Sequence, residues 1–386
     1  MSRVVLGSER LFKAESEQIR GRRVGLITNH SGVDSQLRAT ADKLHQSGLC
    51  ELVALYGPEH GIRGAVQDGE HVANSTDPRT GVPVYSLYGQ TREPDPAMLE
   101  GIELMLFDIQ DVGARFYTYL YTMTQSIAVC AKAKIPFLVL DRPNPIGGLD
   151  LAGNLLDPAF ASFVGRYPIP VRYGLSIGEI ARLFNEQYAL GAELDLIEME
   201  GWQRSFHWED TGLPWVPPSP NMPGPETALV YPGTCFFEGT NLSEGRGTAK
   251  PFEQFGAPFI DGPRLADALN DQSLPGVGFR PTSFLPTASK YAGESCQGVQ
   301  IHILDRTLFE PLSTAFTAIE TVRRLHADHF AWRVPQGGIH NFDLLAGTDQ
   351  IRLALDRGAS TAELLTTWAE ERESFAALRH RFLIYP

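Results

Sequence analysis

The chain has 386 residues, of which 43% are hydrophobic and 20% charged, the balance of a globular protein with one large or two medium domains. Its formal net charge of −13 argues against non-specific binding to nucleic acid and against a basic membrane-binding patch. No apolar run approaches the roughly 18 residues of a membrane span, and residues 1–23 lack the apolar core of a signal peptide. The four cysteines lie far apart without a C-x-x-C pair, as is typical of reduced thiols, so we expect a cytoplasmic protein.

Short apolar runs alternate with helical patterns over the first 150 residues. The predicted strands span residues 24–28, 52–56, 82–87, 103–109 and 137–140. Helical patterns at about 34–47 and 114–132 lie between them. Because apolar strands that alternate with helices form a parallel sheet covered on both sides, we predict an α/β fold with a Rossmann-like sheet.

The second half of the chain has a different pattern. A helix at 177–188 and a strand at 194–199 continue the alternation, and then residues 213–226 contain too many prolines for regular structure. Extended segments at 277–285 and 298–304 are typical of antiparallel strands, and helices are predicted at 312–327 and 361–378. We therefore predict a Rossmann-like catalytic domain at 1–235, an auxiliary α+β domain at 236–386, and a cleft between them.

Polar side chains lie at or just after the ends of four of the predicted strands. They are Asn29 and His30; Glu59 and His60; Asp108, Gln110 and Asp111; and Asp141, Arg142 and Asn144. The carboxyl ends of parallel strands meet at one edge of a sheet, where ligands of such folds bind. The sequence therefore predicts a site at this edge.

Several kinds of site are disfavoured by spacing. No Walker A motif is present and no G-x-G-x-x-G follows the first strand, so we predict no nucleotide cofactor. His30, His60, Asp108 and Asp111 lack the i,i+4 spacing of a helical zinc pair, and we predict no metal. Ser176 in GLSIG has the G-x-S-x-G spacing of a hydrolase nucleophile. We interpret it instead as a helix N-cap, because Glu179 follows at the position of a capping box.

Glu59 is the candidate for a catalytic acid. It lies at the rim of a buried strand, between a proline and two glycines, where partial burial favours the protonated carboxyl. Glycoside hydrolysis needs that acid and usually a second carboxylate. Asp111 and Glu244 are preferred for the second role, with Asp108 and Glu238 as further candidates, and Asn241 and Arg246 near Glu244 are predicted to bind sugar oxygens.

Arginines near these loops indicate an anionic group on the ligand. They are Arg63, Arg115, Arg142 and Arg246. A guanidinium binds a carboxylate through two hydrogen bonds, which explains arginines in the cleft of an acidic protein. One or two of Tyr117, Tyr119 and Tyr121 are expected to offer a platform for a sugar, with Tyr117 the preferred residue, and core packing is expected for the others.

Long motifs of the chain resemble those of the NamZ-type exo-β-N-acetylmuramidase family. They include VGLITNHSGVD (24–34), LVALYGPEHGIRG (52–64), FDIQDVGARFYTY (107–119), LDRPNPIGG (140–148), LPWVPPSPNMP (213–223) and EGTNLSEGRGTAKPFEQFGAP (238–258). The resemblance extends from about residue 20 to the last predicted strands. Because these motifs are long and unusual, the chain is identified as a member of that family.

The resemblance implies a Rossmann-like domain, a smaller C-terminal domain and a cleft between them. It implies release of N-acetylmuramic acid from the non-reducing ends of peptidoglycan fragments, with Glu59 as the catalytic glutamate. Secreted members of the family carry a leader, so the lack of a signal-peptide core in residues 1–23 fits intracellular recycling of wall fragments. The lactyl carboxylate of this sugar suits a cleft that bears arginines. The expected partner is therefore a small carbohydrate, and the alternative is a sugar-binding sensor that does not catalyse a reaction.

Overall fold

The computed structural model describes residues 3–59, 61–63, 75–89, 91–334 and 338–386. Within these ranges a seven-stranded sheet forms the centre of the N-terminal part. Its strands are β1 (Arg23–Thr28), β2 (Glu51–Gly57), β3 (Ser75–Thr76), β4 (Pro83–Ser86), β5 (Leu104–Asp108), β6 (Phe137–Leu140) and β7 (Leu194–Ile197). The strand order is β3-β4-β2-β1-β5-β6-β7, and every pairing is parallel except that of β3 with β4.

Helices cover this sheet and explain why its central strands are apolar throughout. They are α1 (Gly7–Leu11), α2 (Thr40–Ser47), α3 (Tyr119–Ala133) and α4 (Ile177–Gln187). All residues of β5 and β6 are buried. Helix α4 begins at a capping box, in which Ser176 Oγ accepts the Glu179 N–H and the Glu179 carboxylate accepts the Ser176 N–H. The helix-cap interpretation of Ser176 is thus confirmed.

The C-terminal part is smaller and is built on antiparallel strands. Strands β8 (Gln254–Ala257), β9 (Val277–Phe284) and β10 (Cys296–Ile303) form a sheet in the order β8-β10-β9. The helices of this part are α5 (Pro225–Thr234), α6 (Gly262–Asn270), α7 (Pro311–Leu325), α8 (Asn341–Ala346), α9 (Gln350–Asp356), α10 (Thr361–Thr366) and α11 (Ala369–Arg379). The predicted fold class is confirmed.

The two parts share a continuous core. Helix α5 precedes the predicted boundary at residue 236 but packs against α7 of the C-terminal part. The approach is close, because a Cβ atom on Gly233 would lie 1.9 Å from the Pro311 carbonyl oxygen. The division into 1–235 and 236–386 remains a prediction. No helix in the described ranges is both long and apolar enough to cross a membrane.

Three predicted helices differ from those observed. The helix predicted from residue 34 begins at Thr40, because the Asp34 carboxylate accepts backbone N–H groups of Gln36 and Arg38 and forms a turn instead. The helix predicted from residue 114 begins at Tyr119, since Ala114 forms a β-bridge with Arg172. The helix predicted at 361–378 is divided into α10 and α11.

Candidate active site

A cavity of about 210 Å³ lies beyond β2, between the N-terminal sheet and the helices of the C-terminal part. Its aromatic lining comprises Tyr88, Phe116, Tyr117, Tyr119, Phe163, Tyr231 and Phe252. Its polar and charged lining comprises Glu59, Thr118, Ser219, Asn221, Glu238 and Arg246. Both parts of the chain therefore contribute to one concave site. Its lining is largely aromatic, as is common in binding sites for small molecules.

Glu59 is placed in the cavity wall by the turn that ends β2. The Gly61 N–H donates to the Pro58 carbonyl at 3.0 Å, and Gly61 has a φ of +69°, which glycine adopts at little cost. Gly57 leaves room for the returning chain, because a Cβ there would lie 3.1 Å from the backbone nitrogen of Ile62. The glycines of the motif thus shape the turn that presents the carboxylate. The predicted binding residue His60 lies outside the described residues.

Glu238 is a second carboxylate in the cavity wall. It belongs to the 3₁₀ helix Cys235–Gly239 that follows α5, and its side chain is 28% exposed. Arg246 Nη2 donates to Glu238 Oε1 at 2.7 Å, and the guanidinium lies 5.0 Å from the centre of the Phe252 ring. Glu238 is therefore held in position by a charged hydrogen bond while it still faces the cavity.

Glu244, a preferred candidate for the second catalytic group, lies behind Arg246. Its side chain is only 2% exposed, and its carboxylate contacts Arg246 Nε at 3.2 Å and Lys290 Nζ at 2.9 Å. Glu244 does not line the cavity. The geometry makes it a support for Arg246.

Asp111, the other preferred candidate, is buried, with 5% of its surface exposed. Tyr173 Oη and the Gly113 N–H both donate to Asp111 Oδ2. Burial raises the pKa of Asp111 to about 7, although these hydrogen bonds oppose the shift. Neighbouring Gln110 donates to the carbonyls of Asp111 and Pro143, each at 2.8 Å. Neither side chain lines the cavity.

Asp108 and Arg142, predicted to bind substrate, pair with each other instead. Arg142 Nε donates to Asp108 Oδ1 at 2.5 Å and the Thr40 hydroxyl donates to Oδ2 at 2.6 Å. Both charged side chains are almost fully buried, at 0% and 3% exposure. Asn144 is likewise occupied, because it donates to the Leu175 carbonyl at 3.0 Å. These residues of the strand ends tie neighbouring strands and loops together.

Arg115 joins distant segments of the chain. Its guanidinium donates to the carbonyls of Asn154, Ile169, Leu345 and Ala346 at distances from 2.6 to 3.1 Å. It is fully buried, and burial lowers the pKa of Arg115 to about 10. Since two of those carbonyls end α8, Arg115 fastens the C-terminal part to the N-terminal part and does not line the cavity.

Other predicted binding residues lie in different places. Asn29, His30 and Arg63 line a separate cavity of about 500 Å³ beside α2. Arg63 forms ion pairs with Asp42 and Asp77, each at 2.9 Å. Asn241 pairs with backbone groups of His329 and Ala331. The described residues contain no group of three His, Cys, Asp or Glu side chains arranged as metal ligands.

The aromatic wall was largely missed by sequence reasoning. Tyr117 and Tyr119 line the cavity with ring centres 4.9 Å apart, whereas Tyr121 is in the core and donates to the Arg115 carbonyl. The spacing of Tyr88, Phe163 and Tyr231 gave no signal for a site, and the motif at 238–258 indicated the family without indicating a role for Phe252. Ser219 and Asn221 lie in the proline-rich stretch 213–226, whose composition indicated a loop but no function.

Carboxylates in an aromatic cavity beyond the strands of a parallel sheet are the arrangement expected of an α/β enzyme that acts on a sugar. Two family models cover nearly the whole chain: "Exo-beta-N-acetylmuramidase NamZ, N-terminal" matches residues 24–226, and the corresponding C-terminal model matches residues 229–385. The chain therefore belongs to the NamZ family, which confirms the resemblance seen in its motifs.

Individual relatives agree with this assignment. The chain is 46% identical over 383 residues to the peptidoglycan β-N-acetylmuramidase NamZ of Bacillus subtilis (strain 168), covering 99% of this chain and 92% of that protein. Crystal structures of two DUF1343 family proteins from Bacteroides fragilis have the same fold. One has a TM-score of 0.92 at 38% identity and the other a TM-score of 0.75 at 29% identity, and each comparison covers 100% of this chain and 99% of the other.

Proposed function

We propose that this protein is an exo-β-N-acetylmuramidase that releases N-acetylmuramic acid from the non-reducing ends of peptidoglycan fragments. One observation carries the catalytic part of the proposal: among the described residues, the acidic side chains that line the aromatic cavity are Glu59 and Glu238. The family and the B. subtilis relative supply the identity of the sugar.

In the proposed reaction Glu59 donates a proton to the glycosidic oxygen as the bond from that oxygen to the anomeric carbon breaks. Glu238 acts at the same time from the opposite side of the sugar. Either it removes a proton from the water that adds to the anomeric carbon, or it attacks that carbon to form a glycosyl ester, which water activated by the deprotonated Glu59 then hydrolyses to release the sugar. Glu238 replaces Asp111 and Glu244 in this role, because neither of them lines the cavity. Asp111 is bonded to Tyr173, and Glu244 is paired with Arg246 and Lys290.

Recognition of the lactyl group is assigned to Arg246. Of the arginines predicted to meet an anion, it is the one that lines the cavity, whereas Arg115 and Arg142 are buried in contacts with the protein itself. Its positive charge also lies between Glu238 and Glu244. We therefore expect it to lower the repulsion between these glutamates and a carboxylate on the ligand.

The test is hydrolysis of the disaccharide of N-acetylmuramic acid β-linked to N-acetylglucosamine, followed by chromatography of the released sugars. Chitobiose, which lacks the lactyl group, is the comparison substrate. We expect Glu59→Gln and Glu238→Gln each to lower kcat by about 10²–10⁴-fold. The control Glu370→Gln changes an exposed glutamate in the first turn of α11 and should leave kcat unchanged.

Other results would change the proposal. Full activity of Glu59→Gln would remove the assigned acid, and full activity of Glu238→Gln would remove the assigned second group. If the wild-type protein releases no sugar but is stabilised against heat by N-acetylmuramic acid, the sensor alternative is correct.

We place the enzyme in the cytoplasm as part of the proposal. All four cysteines are free thiols and three of them are buried, as is usual for proteins of a reducing compartment. Fractionation of cells that produce the protein tests this location, and recovery outside the cytoplasm would contradict it.

A further inference from the structure

The rim of the cavity carries two aromatic rings at its junction with a neighbouring groove. Tyr88 and Phe163 both line the cavity and are half-buried, with ring centres 6.2 Å apart and an angle of 51° between the rings. The guanidinium carbon of Arg92 lies 4.0 Å from the centre of the Phe163 ring. Phe163 is therefore contacted by Tyr88 on the cavity side and by a cation on the side of the groove.

Phe163 lies in a short turn that is held by backbone hydrogen bonds and close packing. Residues 162 and 165 form an antiparallel bridge, in which the Ser162 N–H donates to the Gly165 carbonyl at 2.6 Å. Ser162 Oγ accepts the Val164 N–H at 3.3 Å, and Gly165 packs so closely that a Cβ there would lie 2.5 Å from Leu156 Cδ1. The Phe163 ring thus projects from a turn whose base is fixed in the structure.

A groove of about 910 Å³ lies next to the cavity, and the contact of Arg92 with Phe163 connects the two walls. Arg92 lines the groove with Leu99 and Val129, and its guanidinium lies over Phe163, which lines the cavity. Gln125 of α3 lies in the groove wall. In the amide orientation that gives its nitrogen and its oxygen a hydrogen bond each, Gln125 donates to the Arg92 carbonyl at 2.9 Å and accepts from Arg166 Nη1 at 3.3 Å. Arg92 therefore lines the groove, and the guanidinium of Arg166 contacts the groove wall through Gln125.

We propose that Phe163 and Tyr88, with Arg92 beside them, bind the sugar on the leaving-group side of the scissile bond. This inference rests on the proposed function. A β-linked N-acetylglucosamine has equatorial substituents, so one face of its ring exposes only C–H groups that pack against an aromatic ring. The continuation of a peptidoglycan fragment would then enter the groove, where Arg92 and Arg166 suit the carboxylates of its lactyl and peptide groups.

The alternative is that Phe163 only packs the wall of the cavity. The two roles of Phe163 predict different effects of changing it. If Phe163 binds the leaving group, the change affects only the hydrolysis of substrates that have a second sugar. Methyl β-N-acetylmuramide has the same muramic acid and an alkoxide leaving group but no second ring. The disaccharide and this methyl glycoside are therefore the matched pair of substrates.

The experiment measures kcat/KM for both substrates with the wild type, Phe163→Ala, Phe163→Leu, Phe163→Trp and Arg92→Ala. We expect Phe163→Ala and Phe163→Leu to lose about 3- to 10-fold on the disaccharide, the usual worth of one ring contact, with no change on the methyl glycoside. Phe163→Trp should restore the disaccharide activity, because it restores a flat ring. Arg92→Ala should lose most with a fragment that carries further residues beyond the disaccharide.

Two controls lie far from the cavity. Phe259→Ala removes a half-buried phenylalanine that stacks on His329, and Arg381→Ala removes an exposed arginine that lies over Phe382. Both should retain wild-type values on both substrates. Thermal unfolding of each variant checks that the fold is intact.

The results separate this inference from the function on which it rests. Equal losses on both substrates, or no loss on the disaccharide, would assign Phe163 to packing and overturn the inference alone. A wild type that uses the two substrates equally well would overturn it in the same way. A wild type that hydrolyses neither would overturn the proposed function and this inference with it.

Discussion

Arg142→Met tests whether Arg142 supports the fold or binds the substrate. The change removes the charged partner of Asp108, a carboxylate with no exposure to solvent, and leaves it only the Thr40 hydroxyl as a side-chain donor. Breaking a buried ion pair from one side typically costs about 3–5 kcal/mol, since the remaining charge stays buried. At about 2 °C per kcal/mol for a large chain, we expect Tm to fall by about 6–10 °C.

The assay combines thermal unfolding with steady-state kinetics at a temperature where the variant is folded. Stability should fall while KM for the muramide disaccharide stays near the wild-type value, because Arg142 does not line the cavity. Arg38→Met is the matched control. It removes an arginine that is 62% exposed from an ion pair with Asp34, which keeps Lys43 as a partner, and should cost less than about 1 kcal/mol.

A double variant completes the test. Adding Asp108→Asn to Arg142→Met removes the uncompensated charge, so it should recover part of the lost stability. The reasoning is refuted if Arg142→Met unfolds at the wild-type temperature but raises KM strongly. That result would place Arg142 against the substrate, as its position after a strand first indicated.

Two further predictions concern pH and recognition. Burial raises the pKa of Asp111 to about 7, above its value in the unfolded chain, so its contribution to stability is greatest below about pH 4 and is lost as the pH rises through about 7. Asp111→Asn removes this dependence. The free energy of unfolding of the variant minus that of the wild type should therefore rise between pH 5 and pH 8 by up to about 3 kcal/mol. If urea titrations give the same difference between variant and wild type at every pH, the raised pKa of Asp111 is contradicted. Arg246→Gln should raise KM for the muramide disaccharide about 10- to 100-fold through loss of a charged hydrogen bond, whereas a fall confined to kcat would mean that Arg246 serves only to hold Glu238.

The fold class followed from local patterns in the chain. A strand apolar on both faces can be buried only in a covered sheet, so five short apolar runs separated by helical patterns were enough to predict the parallel sheet. The position of Glu59 also followed, because the turn after β2 is encoded by adjacent proline and glycines. The family motifs, which are long and unusual, identified the family from the sequence alone.

Which polar side chains face the cavity was decided by tertiary structure. Asp108 ends β5 and Arg142 follows β6, and only the neighbouring positions of these two strands reveal that the two side chains neutralise each other. The C-terminal part determines the remaining cavity-facing groups. It contributes Glu238 and Arg246 to the cavity wall, and its carbonyls at the end of α8 accept hydrogen bonds from Arg115, which therefore does not face the cavity. A polar residue near a site binds either the ligand or other groups of its own protein. Which of the two it binds depends on residues far away in the sequence, and a local sequence pattern does not identify those residues.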